Sequence, residues 1–191
     1  MPVVTYKILD NLNITDSIDQ ERLACFLDRI FMKYSRSVQY HNDLHGIDIT
    51  QMGYRMLTKG NLMNILKLNK LDLLAFVTAG ICHDVGHDGF NNAFHINAVS
   101  QRAIDSNDVS VQETFHAATY FKTLQEECSN FVHMFTSQEF KLLRKRVIGM
   151  ILATDMAKHA SDLSQMKSIL AANDIVNGKN NDHFVQTDDE N

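Results

Sequence analysis

Two short segments of this chain concentrate side chains able to hold a metal ion or move a proton. Tyr40-His41-Asn42-Asp43-Leu44-His45 spaces its histidines four residues apart, which on a helix puts both rings on one face, about one turn apart. Cys82-His83-Asp84-Val85-Gly86-His87-Asp88-Gly89 holds an adjacent His-Asp pair and another histidine four residues after the first. It follows the most apolar stretch of the chain, where polar groups must be paired or metal-bound to be tolerated. Imidazole with carboxylate suits Zn, Mn or Fe, and carboxylate with water suits Mg. His83 and Asp84 can donate two ligands from one helix end, and His45 can complete a facial set from another helix.

The blander readings bound this one. A lone histidine is ordinarily a packed or surface residue, and only the pairing lifts these above it. His95, His133 and His183 lack such partners and read as ordinary surface or loop residues. Asp88-Gly89 reads as a turn, with glycine supplying a positive φ. Met52, Met56 and Met63 read as core filling.

Helices must position these groups. Leu23, Phe26, Leu27, Ile30, Phe31 and Tyr34 recur at three- and four-residue steps and predict a helix over 19–35, with Asp16 or Ser17 as its cap. Further helices are expected over 43–57, ending near Gly60, over 68–82 as the buried centre of a bundle, weakly over 94–105, and over 109–127. Ser137 would cap a long helix over 138–159, and Leu163, Met166, Ile169 and Leu170 predict a last one. Strand alternation and hairpin turns are lacking, so the expected fold is all-α, a compact multi-helix bundle. Asn173 onward turns to Asn, Asp, Gly and Lys and reads as a disordered tail over 173–191.

Composition narrows the partners. The 191 residues suit one domain, and 18 basic against 23 acidic side chains give a net charge of −5. That balance argues against gripping a nucleic-acid polymer or an anionic membrane. The apolar run Leu71 to Cys82 is broken by Asp72 and too short to span a bilayer. Cys25, Cys82 and Cys128 are far apart and odd in number, and with no signal segment at the start they read as reduced thiols in a cytoplasmic protein.

The segment Tyr40-His41-Asn42-Asp43-Leu44-His45-Gly46-Ile47-Asp48-Ile49-Thr50-Gln51 resembles the YHNxxHAxDVxQ signature of class I cyclic nucleotide phosphodiesterases, with Gly46 where that family usually has Ala. His83-Asp84-Val85-Gly86-His87-Asp88-Gly89-Phe90-Asn91-Asn92-Ala93-Phe94 resembles the family's HDxxHxGxxNxF block. Many members carry Pro where Asp88 stands. Glu113 to His116 is similar to its Glu-x-x-His stretch, and Ala153-Thr154-Asp155-Met156-Ala157-Lys158-His159 to its ATDMxxH segment. The four blocks stand in the family's order.

The resemblance implies a helical catalytic domain over 6–172 that hydrolyses cAMP, cGMP or both to nucleoside 5′-monophosphates with two divalent ions. It makes His45, His83 and Asp84 direct ligands of a tight ion, usually zinc. Asp84 would bridge to a second ion, usually magnesium or manganese, whose waters His87, Glu113 and Thr154 would hold. His41 would be the general acid. Asn92 and Asp155 would be polar supports around the substrate pocket, and Tyr40 and Met156 would line it. A block resembling HCADxSNP, which carries a fourth aspartate ligand in the family, is missing here. The chain is therefore expected to be the middle of a longer catalytic domain, the product of a truncated gene reading. A homodimer could cover its exposed apolar surface. A non-catalytic fragment, or another His-Asp metal phosphohydrolase, is the competing expectation.

Overall fold

The computed structural model describes residues 1–176, and these are helical without a strand among them. The helices are α1 Pro2–Asn11, α2 Gln20–Lys33, α3 Asp43–Thr58, α4 Leu62–Ile65, α5 Lys70–Cys82, α6 Asn92–Asn97, α7 Gln101–Ser106, α8 Val111–Leu124, α9 Ser137–Leu152 and α10 His159–Val176. Residues up to Asp155 form one compact unit, and those from Met156 a second.

In the first unit α5 is the central helix. Leu73, Leu74, Ala75, Val77, Thr78, Ala79, Ile81 and Cys82 are all buried, so it is packed on most sides, as its continuous apolar run predicted. It starts on a reciprocal cap between Asn69 and Asp72, which satisfies amides that the first turn cannot pair internally. α3 crosses it closely because small residues meet larger ones. A Cβ on Gly80 would stand 2.7 Å from the Thr50 hydroxyl, and Gly53 makes room for the Phe76 ring. That crossing brings the first turn of α3 to the C-terminal end of α5. On the far side of the core, α2 buries Leu23, Phe26, Leu27 and Ile30, with Phe26 edge-on to Tyr120 and Phe131.

Several sequence expectations are corrected. The cap of α2 is Asp19, not Asp16 or Ser17, because its carboxylate is the one that accepts from Arg22 N–H, at 3.0 Å. The weak 94–105 pattern splits into α6 and α7 at Val99, whose φ of 48° lies in the left-handed region, and Ser100 caps the second piece. Thr136, boxed with Glu139, starts α9 in place of Ser137. α9 stops at Leu152 instead of running to His159, because Thr154 turns its hydroxyl back onto the Ile151 carbonyl at 2.8 Å, a local bond that competes with the helix. α1 and α4 were not foreseen. Met52 and Met56 lie on the exposed face of α3, so they are not core filling, whereas Met63 packs partly buried against the core.

Cys25 and Cys128 form a disulfide, which overturns the reading of three reduced thiols. Their separation of 103 residues hid that α2 packs against the short turn Glu127–Ser129. Cys82 is the free, buried thiol. In the second unit a tight turn, Met156–Lys158, leads into α10. That helix continues into residues 173–176, which had been read as tail. The remainder of the expected tail and His183 lie outside the described residues.

Candidate metal centre

His45 owes its place to the cap before it. Asn42 accepts from the amides of Leu44 and His45 at 3.0 and 3.4 Å, while its own amide group donates to the carbonyls of Val38 and Gln39. The cap therefore starts α3 and anchors the preceding loop. His83 is the C-terminal cap residue of α5, and the chain turns sharply after it, with Gly86 at φ +73°. The hydroxyl of buried Tyr34 donates to the Ile81 carbonyl at 2.9 Å, supporting the backbone just ahead of His83-Asp84.

One donor atom each from His45, His83 and Asp84 falls within a 4.8 Å cluster. His83 Nε2 lies 3.3 Å from His45 Nε2 and 3.3 Å from Asp84 Oδ2, and His45 Nε2 lies 3.5 Å from the same oxygen. Asp84 Oδ2 is buried without an aligned hydrogen bond. His83 Nδ1 meets the Gly80 carbonyl at 2.7 Å, and His116 Nδ1 meets that of Val85 at 2.8 Å. A carbonyl only accepts, so each Nδ1 carries a proton, and in the neutral ring each Nε2 is left with a lone pair. His116 Nε2 is itself buried and unpartnered, 3.9 Å from Asp84 Oδ1. Lone pairs and carboxylate oxygens thus face one another with too few protons between them. Such a set needs a cation, and the residues fit a divalent metal ion.

The electrostatics agree. Burial pushes the Asp84 carboxyl up, but His83 beside it, with His116 and His41 farther off, outweighs burial and holds it at about 2. Burial pulls His45 and His87 down and takes His116 to about 4, so these rings favour the neutral form that binds metal. Burial also acts to lower His83, yet the neighbouring Asp84 anion raises it on balance. A bound cation would take the place of that proton.

The other expected site residues are distributed unevenly. His41 stacks on His87, with ring centres 4.2 Å apart and planes 13° apart, and lies 5.8 Å from the His45 ring. Exposed Tyr40 rests against His45 at 4.6 Å. Glu113 accepts from the Asn92 side chain at 3.0 Å. Thr154 is exposed, and its hydroxyl is spent on Ile151. Asp155 is buried and accepts from the Ser110 hydroxyl at 2.7 Å. Met156 opens the second unit with an exposed side chain.

The Glu113 motif contains His116 without giving it a role, although its spacing from Glu113 on α8 places it one turn away. The sequence also reads His95 as a surface or loop residue. That ring is buried, 2.9 Å from the Ser100 hydroxyl and 3.3 Å from the Asp88 carboxylate. A polar cluster under a turn has no periodic signature, so the spacing could not reveal it. No helix among the described residues is long and apolar enough to cross a membrane.

The profile of the 3′5′-cyclic nucleotide phosphodiesterase family matches residues 40–189. The chain is 37% identical over 139 residues to the 3′,5′-cyclic-nucleotide phosphodiesterase regA of Dictyostelium discoideum, covering 73% of this chain and 17% of that protein. It is 32% identical to the dual 3′,5′-cyclic-AMP and -GMP phosphodiesterase beta of Plasmodium falciparum, over 92% of this chain and 16% of that one. Among solved structures, the phosphodiesterase domain of a rhodopsin–phosphodiesterase fusion from Salpingoeca rosetta superposes with a TM-score of 0.81 at 33% identity. That match covers 87% of this chain and 52% of the other. The chain therefore spans about half of that solved domain and less than a fifth of these two relatives.

Proposed function

The chain belongs to the 3′,5′-cyclic nucleotide phosphodiesterase family, and from that premise we propose that its histidine–aspartate cluster is the metal-binding part of a site hydrolysing cAMP, cGMP or both to nucleoside 5′-monophosphates. The observation that carries this reading is the convergence of His45, His83 and Asp84 around a buried carboxylate oxygen lacking an aligned hydrogen bond.

In this reading His45, His83 and Asp84 would hold the tighter ion, Zn2+. Asp84 would also serve a second ion, Mg2+ or Mn2+, whose waters His87 and Glu113 would hold, joined by Thr154 once its hydroxyl turns from the Ile151 carbonyl. When bound, such ions supply positive charge against the phosphate and make water acidic enough to give hydroxide near neutral pH. The remaining chemistry belongs to the chain's own side chains. Hydrolysis joins a water oxygen to phosphorus and breaks the bond to the 3′ oxygen, which must take up a proton. His41 supplies that proton, and its stacking on His87 fixes the ring's orientation. Tyr40 offers an exposed aromatic face beside His45 for the nucleotide, while Asn92 and Asp155 are polar supports. A homodimer is the form in which exposed α3 side chains such as Ile49, Met52 and Met56 would be covered, which sedimentation would read.

The test is hydrolysis of cAMP and cGMP by the purified chain with Mg2+ or Mn2+, alongside metal analysis and a His41→Ala variant. Turnover lost in the variant while metal content is kept supports the reading. A folded chain that binds metal without turnover would instead favour a non-catalytic metal-binding fragment.

A further inference from the structure

A second polar cluster is buried beside the turn that follows Asp84, and the reaction described above does not use it. Its hub is Gln112, on the first turn of α8 and 3% exposed. The Gln112 side-chain NH2 donates to Asp88 Oδ1 at 2.8 Å and to the Phe90 carbonyl at 2.7 Å, and its nitrogen also lies 3.1 Å from His95 Nε2. Its oxygen accepts from Arg102 at 2.5 Å. The second Arg102 nitrogen donates to the Gly86 carbonyl at 3.0 Å, and the guanidinium lies over the Phe115 ring at 3.7 Å. His95 reaches the same Asp88 oxygen at 3.3 Å. Every polar atom of this buried carboxamide is therefore satisfied, and every partner belongs to the turn or to a residue bracing it.

The turn carries His87, and Arg102 and Gln112 grip it on either side, at Gly86 and at Asp88. Gln112 also reaches Glu113. Its backbone N–H donates to Asn92 Oδ1 at 2.8 Å, and Asn92 in turn donates to Glu113 at 3.0 Å. One residue thus ties together His87's turn and the Asn92–Glu113 pair. Asp88 stands where the resembled block commonly has Pro, a residue that stiffens a turn covalently. Here hydrogen bonds supply the restraint.

We propose that Gln112 is a positioning residue, whose carboxamide fixes residues 86–92 so that His87 and Glu113 stand ready to hold the waters of the second divalent ion. This rests on the metal-centre reading above. Gln112→Glu keeps the size and the acceptor for Arg102 but removes both donors, leaving a carboxylate facing Asp88 and the Phe90 carbonyl. Adding Asp88→Asn to it reverses the donor and acceptor between the two positions and should restore part of the contact.

The experiment titrates Mn2+ into the purified chain and follows the free-ion signal by electron paramagnetic resonance, with thermal unfolding on the same samples. The expected result is Mn2+ binding weakened about 10- to 100-fold in Gln112→Glu and partly recovered in the double variant. Gln112→Glu that unfolds at a lower temperature yet binds Mn2+ as the wild type does would reduce Gln112 to a purely structural role and overturn the proposal. If Gln112→Glu fails to fold, Asp88→Ala carries the test by removing the oxygen that accepts from Gln112, and unchanged Mn2+ binding overturns it equally. A wild-type chain that takes up no Mn2+ overturns the metal-centre reading itself, a result distinct from the others.

Discussion

The hydroxyl of Tyr34 lies 3.1 Å from the point where a Cβ on Gly46 would stand, while the same hydroxyl donates to the Ile81 carbonyl at 2.9 Å. The family motif usually places Ala at this position of α3, and here the oxygen occupies the edge of that space. Gly46→Ala would gain about 1 kcal/mol of helix propensity but press on an oxygen anchored by its hydrogen bond. The two effects should nearly cancel in the wild-type background. In a Tyr34→Phe background the oxygen is gone, and the same substitution should stabilise. A double-mutant cycle by urea unfolding should read a coupling of at least about 0.5 kcal/mol; additive effects would mean that the two residues do not constrain each other.

Metal binding and proton donation should separate by residue. A ligand that binds only the folded chain raises its stability, by about 2.7 kcal/mol at a hundred times the dissociation constant. Zn2+ or Mn2+ should therefore raise the unfolding temperature of the wild-type chain and of His41→Ala alike. Asp84→Asn should abolish most of that rise, because it replaces the oxygen on which both His45 and His83 converge. Chelator should abolish the rise in the wild type. A His41→Ala chain that no longer responds to metal would contradict the division of roles.

The N-terminal cap of α2 should be sensitive to acid. The backbone N–H of Arg22 is the main influence holding the Asp19 carboxyl below its ordinary 3.8, against an opposing desolvation, with His133 adding to the lowering. A depressed folded-state value means that the stabilisation is fully present above about pH 4 and is lost as pH falls through the folded value. Asp19→Ala should therefore be less stable than wild type at pH 7, and the gap in denaturant midpoint should close towards pH 2.5. A gap independent of pH would point to packing instead of charge.

His41, His45, His83, Asp84 and His87 were all identified from two short motifs. Their chemistry depends on residue type and helical spacing, and the structure brings the five side chains together. The continuous apolar run of α5 announced the buried helix beneath them. What remained hidden depends on tertiary contact. The cap at Asp19, the break after Leu152 and the Gln112 cluster are decided by which polar atoms find partners, and none has a period in the sequence. Thr154 shows the difference within a single motif: its hydroxyl bonds back to Ile151, so a role in holding a metal ion's water would require it to turn.

The disulfide is the sharpest case of information that spacing does not carry, and it gives a direct chemical prediction. Cys25 and Cys128 close a loop across 103 positions, whereas Cys82 is fully buried and burial pushes its thiol well above the ordinary range. In the folded chain iodoacetamide should therefore modify no cysteine rapidly, since the thiol is inaccessible and protonated. Denatured without reductant, the chain should take up a single label at Cys82, and after reduction three. Reduction should also lower stability, by at most about 4–5 kcal/mol for a closed loop of this length in the chain-entropy account. Three labels on the denatured, unreduced chain would show that α2 and the Glu127–Ser129 turn are held together without the disulfide, by packing and by polar contacts such as Arg29 and Lys33 to Glu126 and Arg22 to the Glu127 carbonyl.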